Sequence, residues 1–106
     1  MNSTRIKLLQ KFIEEEPYNP FNRYALGLEY LALDKKKAEA LFDQLLTRHP
    51  DYLPTYYQAG LLKAELGNTS DSLRILHAGI DLAQKTGEFK ALKELQQAFR
   101  EIQEDD

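Results

Sequence analysis

The sequence predicts an all-α protein of about six helices. Three observations point there: apolar residues recur at helical spacing in six segments, Pro, Gly, Asn and Asp punctuate the intervals between them, and no segment alternates with strand period.

The first helix is expected from about Ser3 to Glu16, with Ile6, Leu9, Phe12 and Ile13 on one face, and Pro17 ends it. Asn19 before Pro20 reads as an N-cap and first helical residue, because the Asn side chain accepts a free backbone N–H and Pro has none to leave unpaired. The second helix starts there and reaches about Leu33. Asp34 caps a third helix from about Lys35 to Arg48, and Pro50 blocks its continuation. A fourth begins near Pro54 and stops at Gly67, a residue suited to the left-handed position just past a helix end. Asn68, Thr69 and Ser70 supply the next cap, for a fifth helix running to about Lys85. The last helix, about Glu88 to Gln103, sets Phe89, Leu92, Leu95, Phe99 and Ile102 in one apolar stripe. Glu88, Lys90, Lys93, Glu94, Gln97, Arg100 and Glu101 form its wet side.

Length and composition narrow the function. A chain of 106 residues supports one modest core. With 14 Lys and Arg against 17 Asp and Glu, the net charge of -3 offers no broad positive field for a phosphate backbone, so nucleic acid is not an expected partner. The absence of Cys removes disulfides and thiolate metal sites. The first twenty residues mix charges at helical spacing instead of presenting a secretory apolar run, and no stretch approaches the ~20 apolar residues of a membrane span. A soluble, cytoplasmic protein with no membrane partner is expected.

No motif for catalysis emerges. His49 and His77 fall in different helices, and no Asp, Glu or His is expected at a supporting i, i+4 spacing that would suggest a metal pair such as HExxH. There is no glycine-rich phosphate loop and no nucleophile elbow. The consecutive acids Glu14 to Glu16 and Glu104 to Asp106, like the run Lys35 to Lys37 after Asp34, point in different directions on a helix and read as solvated charge. No enzyme activity, cofactor, metal or small-molecule substrate is expected.

An internal repeat carries more information. Ala38 pairs with Ser72, Phe42 with Leu76 and Leu45 with Gly79, each 34 positions apart, while Leu26-Gly27 pairs with Ala59-Gly60 at 33. The one-residue difference must lie in the turn between Gly27 and Ala38, since insertions belong in turns. Small residues where helices cross, a period near 34 and a Pro after the second helix resemble the tetratricopeptide repeat. In that reading the first unit has Leu26, Gly27, Tyr30, Ala38, Phe42, Leu45 and Pro50. The second has Tyr56, Ala59, Gly60, Gly67, Ser72, Leu76 and Gly79. Arg23 stands where the family usually has a large aromatic, Lys63 where it often has Tyr, and no Gly closes the first unit's turn.

The resemblance implies an α-solenoid of antiparallel helix pairs: residues 1–17 an N-terminal helix, 18–51 and 52–85 two repeats, and 86–106 a C-terminal capping helix, together a single domain. Residues 1–16 resemble the second helix of a preceding repeat, with Leu9 and Phe12 in its packing positions. The positions implied to line the concave face are Phe21, Tyr24, Ala25, Leu28, Leu31 and Ala32, then Pro54, Tyr57, Gln58, Leu61, Ala64 and Glu65. None is Lys or Asn, which disfavours the carboxylate clamp of one subgroup of the family.

The expected function is a protein–protein interaction module, an adaptor or scaffold taking an apolar or amphipathic segment of another protein or peptide. Phe21, Tyr24, Leu28, Tyr57, Gln58, Leu61 and Glu65 are its candidate contact residues. Two alternatives stay open: the same patch pairs two copies into a homodimer, or these residues pack against the first or last helix of their own chain.

Overall fold

Side-chain caps start three of the helices. In the computed structural model, which describes residues 3–105, the chain forms α1 (Ser3–Glu15), α2 (Pro20–Tyr30), α3 (Lys35–Arg48), α4 (Pro54–Glu65), α5 (Thr69–Thr86) and α6 (Phe89–Glu104), with no strand among the described residues. Asn19 accepts the Phe21 N–H at 3.0 Å, and Pro20 follows as the first helical residue. Asp34 accepts from Lys37 N at 3.2 Å and Asn68 from Asp71 N at 3.4 Å. Each cap satisfies a donor that the first turn leaves without an intrahelical acceptor.

Two helices end on glycine. Gly67 and Gly87 have φ of +85° and +74°, the left-handed conformation that costs a side chain least when there is none. At Gly67 the chain folds back so that Asn68 N–H reaches Lys63 O at 2.8 Å and Gly67 N–H reaches Ala64 O at 3.0 Å. Glu88 N–H to Ala83 O at 3.0 Å and Gly87 N–H to Gln84 O at 3.3 Å repeat the pattern after α5.

The turn after α2 has no such glycine and is built differently. The helix stops at Tyr30, short of the expected Leu33, because Asp34 must be extended to cap α3, with φ of -158°. The turn therefore closes before it, with Leu33 and Asp34 N–H both directed at Tyr30 O, at 2.9 and 2.8 Å.

Contacts concentrate in two compact units, one ending at Tyr52 and one beginning at Leu53. In the first, Leu9 of α1 is buried with Ala25 and Leu26 of α2, and Ile6, Phe12, Ile13, Tyr30 and Leu41 surround them. Arg5 pairs with Glu29 at 3.2 Å on the rim. Arg23, at the position where the resembled repeat has a large aromatic, donates to Pro17 O at 2.6 Å and so ties the α1–α2 connection to α2. Against α3, α2 presents Gly27. A Cβ there would stand 2.5 Å from Phe42 Cε1, so the ring lies where only a glycine leaves room.

The second unit repeats the arrangement. A Cβ on Gly60 would stand 2.5 Å from both Leu76 Cδ2 and Cγ, and the Ser72 hydroxyl donates to the Gly60 carbonyl at 2.6 Å. Tyr56 sits earlier in α4 yet meets Gly79, later in α5, so the two helices run antiparallel. Gly27 and Gly60, paired in the sequence repeat, thus both lie in interhelical seams. Ala38 and Ser72, their paired small residues, are fully buried. From the far side Leu95 of α6 reaches Gly79, with Cδ2 3.2 Å from where a Cβ would be.

The apolar stripe of α6 needs one correction. Leu95 and Ala98 are the buried residues, while Phe89 is 66% exposed. Phe89 opens α6, and the residues just before it, 84–88, are all exposed as well.

Candidate functional site

The candidate residues on α2 separate into three situations. Asn19 and Pro20 fix the start of the helix, and the residues 21, 24 and 28 then share one side of it. Phe21 and Leu28 are 55% and 37% exposed. Tyr24 lies between them along the helix but packs inside the unit, its ring 6.2 Å from Phe42 and 5.7 Å from Tyr52, edge-on to the latter. It belongs to an aromatic cluster that also holds the segment after α3. Burial, and then the Tyr24 hydroxyl beside it, raise the Tyr52 pKa above its ordinary value of 10.0. Ala25, placed on this face by counting from Gly27, is 4% exposed, because Leu9 of α1 covers it.

On α4, Tyr57, Gln58 and Leu61 are half-buried and Glu65 is exposed. Tyr57 and Leu61, four residues apart, form one wall of a cleft of about 140 Å³. The other wall is α6, which contributes Glu94, Gln97, Ala98 and Glu101. These four recur at the spacing of a single helix face. Ala98, 5% exposed, is the small residue that leaves the cleft open, and Gln97 Nε2 donates to Glu101 Oε1 at 2.9 Å on its rim. Gln58 and Glu65 do not line it.

The contribution of α6 is absent from the candidate residues read from the sequence. Glu94, Gln97 and Glu101 read there as a wet side, which they are, since all three are exposed. The missing information is that their side of α6 turns toward Tyr57 and Leu61.

Polar groups also meet at the start of α5, where Asn68 Nδ2 donates to Asp71 Oδ2 at 2.9 Å and Arg74 pairs with Asp71 at 3.2 Å. Contrary to the expectation of no acid at i, i+4 from a histidine, Asp81 stands four residues after His77, and its Oδ2 lies 3.5 Å from His77 Nδ1 on the surface. The His77 ring packs 6.3 Å from Phe99 of α6, at the edge of a helix crossing. Among the described residues, no group of three or more His, Cys, Asp or Glu could hold a metal ion. No helix among them is long and apolar enough to cross a membrane. The chemistry these surfaces offer is that of contact: an aromatic and an aliphatic side chain on α2, and an aromatic-walled, carboxylate-rimmed cleft between α4 and α6.

Several solved structures resemble the chain. One is the crystal structure of a tetratricopeptide repeat domain protein from Salinibacter ruber, 38% identical over 83% of this chain and 100% of that one, with a TM-score of 0.80. A solution NMR structure of a tetratricopeptide repeat domain protein from the same organism is 41% identical, over 82% and 89% of the two chains, with a TM-score of 0.77. The TPR2B domain of yeast Sti1, in its pHsp70 complex, overlays with a TM-score of 0.87 over 95% of this chain and 82% of that one. At 13% identity that likeness is one of fold. No family model matches the chain, and no curated protein matches it.

Proposed function

The chain belongs to the tetratricopeptide repeat family, and on that premise we propose that it is a protein–protein interaction module binding an apolar or amphipathic segment of a partner, the first unit offering the exposed side of α2 and the second, by itself, that of α4. The observation that carries this reading is the exposure of Phe21 and Leu28, two large apolar side chains seven residues apart on one helix. Leaving such residues in water forgoes part of the ~1.5–3 kcal/mol that burying each would bring. A partner that covers them recovers it, and aromatic residues are favoured anchors at such interfaces.

Support also comes from the yeast Sti1 domain, which shares the fold and is held in a complex with pHsp70. Protein or peptide partners therefore suit this architecture. On α4, Tyr57 and Leu61 supply the corresponding contacts, with Gln58 and Glu65 beside them as polar flanks. Tyr24 has a supporting part, since its ring is already engaged by Phe42 and Tyr52.

The test is affinity capture from a cell extract with the wild-type chain, the Phe21→Ser/Leu28→Ser variant and the Tyr57→Ser variant side by side. Proteins retained by the wild type and lost with the variants, at unchanged helicity, support the reading. Identical capture profiles for all three would overturn it.

A further inference from the structure

The α4–α6 cleft has a composition that selects its occupant. Every ionisable group lining it other than the Tyr57 phenol is a carboxylate, and no Lys, Arg or His lines it. Glu94 and Glu101 stand seven residues apart on α6, about 10 Å along the axis at 1.5 Å per residue. Gln97, between them, uses its amide N–H on Glu101. The rim is thus rich in acceptors, while the opposite wall is the Tyr57 ring and the Leu61 side chain, with Ala98 between.

An occupant complementary to this lining needs an apolar stem, a positive charge and several N–H donors. A carboxylate-bearing segment meets repulsion from Glu94 and Glu101. A purely aliphatic one strips water from two carboxylates without returning a hydrogen bond, which is costly. Arginine meets all three needs: its methylenes suit Leu61 and Ala98, its planar guanidinium can stack on an aromatic face, and its five donors suit a rim of carboxylate and amide oxygens.

We propose that the cleft formed by Tyr57 and Leu61 of α4 with Glu94, Gln97, Ala98 and Glu101 of α6 is a docking site for an arginine side chain on a segment of a partner protein. The inference rests on the interaction reading above and adds the chemistry of one contact. It also gives Glu94 and Glu101 a role that solvation alone does not.

The experiment titrates the full chain, labelled with ¹⁵N, with short acetylated and amidated peptides of one length and one leucine content. At the same positions these carry arginine, lysine, citrulline or glutamate. The expected result is that the arginine peptide shifts the amide signals of Tyr57, Gln97, Ala98 and Glu101. It binds about tenfold more tightly than the citrulline peptide, the sum of two partly exposed charge contacts. Glu94→Gln/Glu101→Gln, two substitutions at exposed positions, is expected to abolish that difference without moving the urea midpoint. Should the variant fail to fold, the arginine-to-citrulline comparison on the wild type decides by itself.

Equal binding of arginine and citrulline peptides at the cleft overturns the inference and leaves the interaction reading standing. Lysine binding as tightly as arginine overturns the assignment to arginine. Signals of the cleft that shift with the protein's own concentration, before any peptide is added, show a second copy as the occupant and overturn it too. If no peptide perturbs the cleft, the inference falls, and the capture experiment decides the interaction reading by itself.

Discussion

Leu76 fills the space that a side chain on Gly60 would need: a Cβ built there stands 2.5 Å from its Cγ and Cδ2. In the first unit Phe42 does the same to Gly27, at 2.5 Å from its Cε1. These two seams bring α2 onto α3 and α4 onto α5. Their energetics follow from what a methyl group would do. In a helix interior alanine is better than glycine by up to about 1 kcal/mol, whereas forcing a methyl into a filled seam costs about 1–3 kcal/mol. Gly60→Ala is therefore expected to lower the free energy of unfolding by up to about 2 kcal/mol in urea titration. A stabilised variant would mean that Leu76 moves aside freely and that the seam is loose.

These seams were legible in the sequence because each required residue types at a fixed offset: Gly27 and Gly60, Phe42 and Leu76. The helix starts were legible for the same local reason, since Asn19, Asp34 and Asn68 each carry an oxygen that can reach a backbone N–H one turn ahead. What required three dimensions was the neighbour of each face. Nothing in residues 20–30 says that Leu9 will cover Ala25, or that Tyr52, well past the end of α3, will come to lie edge-on to Tyr24. The cleft was illegible for a related reason. The polar side of α6 carries Lys90, Lys93 and Arg100 as well as Glu94 and Glu101, and periodicity alone gives no signal that only the acidic ones face Tyr57.

Thr55 offers a test of a different kind. It is fully buried near the start of α4, and its hydroxyl has no hydrogen-bond partner. An unpaired buried hydroxyl costs free energy that a methyl group does not. Thr55→Val is expected to leave stability unchanged or raise it by up to about 1 kcal/mol, read from the urea midpoint. A loss of more than about 1 kcal/mol would show that the hydroxyl is satisfied, for instance by a bound water.

Tyr52 gives the first unit a dependence on alkaline pH. Its folded-state pKa is raised, by burial first and by Tyr24 second, so the folded chain holds the phenolic proton more tightly than the unfolded chain does. Its contribution is fully present below the ordinary value of 10.0 and is lost as pH rises from there through the raised value. The difference in unfolding free energy between wild type and Tyr52→Phe, followed across that window, is expected to shift against the wild type as pH rises. A difference that stays flat would place Tyr52 in a solvent-like environment.

Stability and binding should separate along the line between seam and surface. Gly27, Gly60, Phe42 and Leu76 lie inside the fold and Phe21 and Leu28 outside it. The most direct test is the urea unfolding free energy of Phe21→Ser/Leu28→Ser. The expected value lies within about 0.5 kcal/mol per substitution of the wild type, as at exposed positions without partners. A drop of about 3 kcal/mol or more, the size expected for emptying a core, would show that these side chains hold the protein together and are not free to meet a partner.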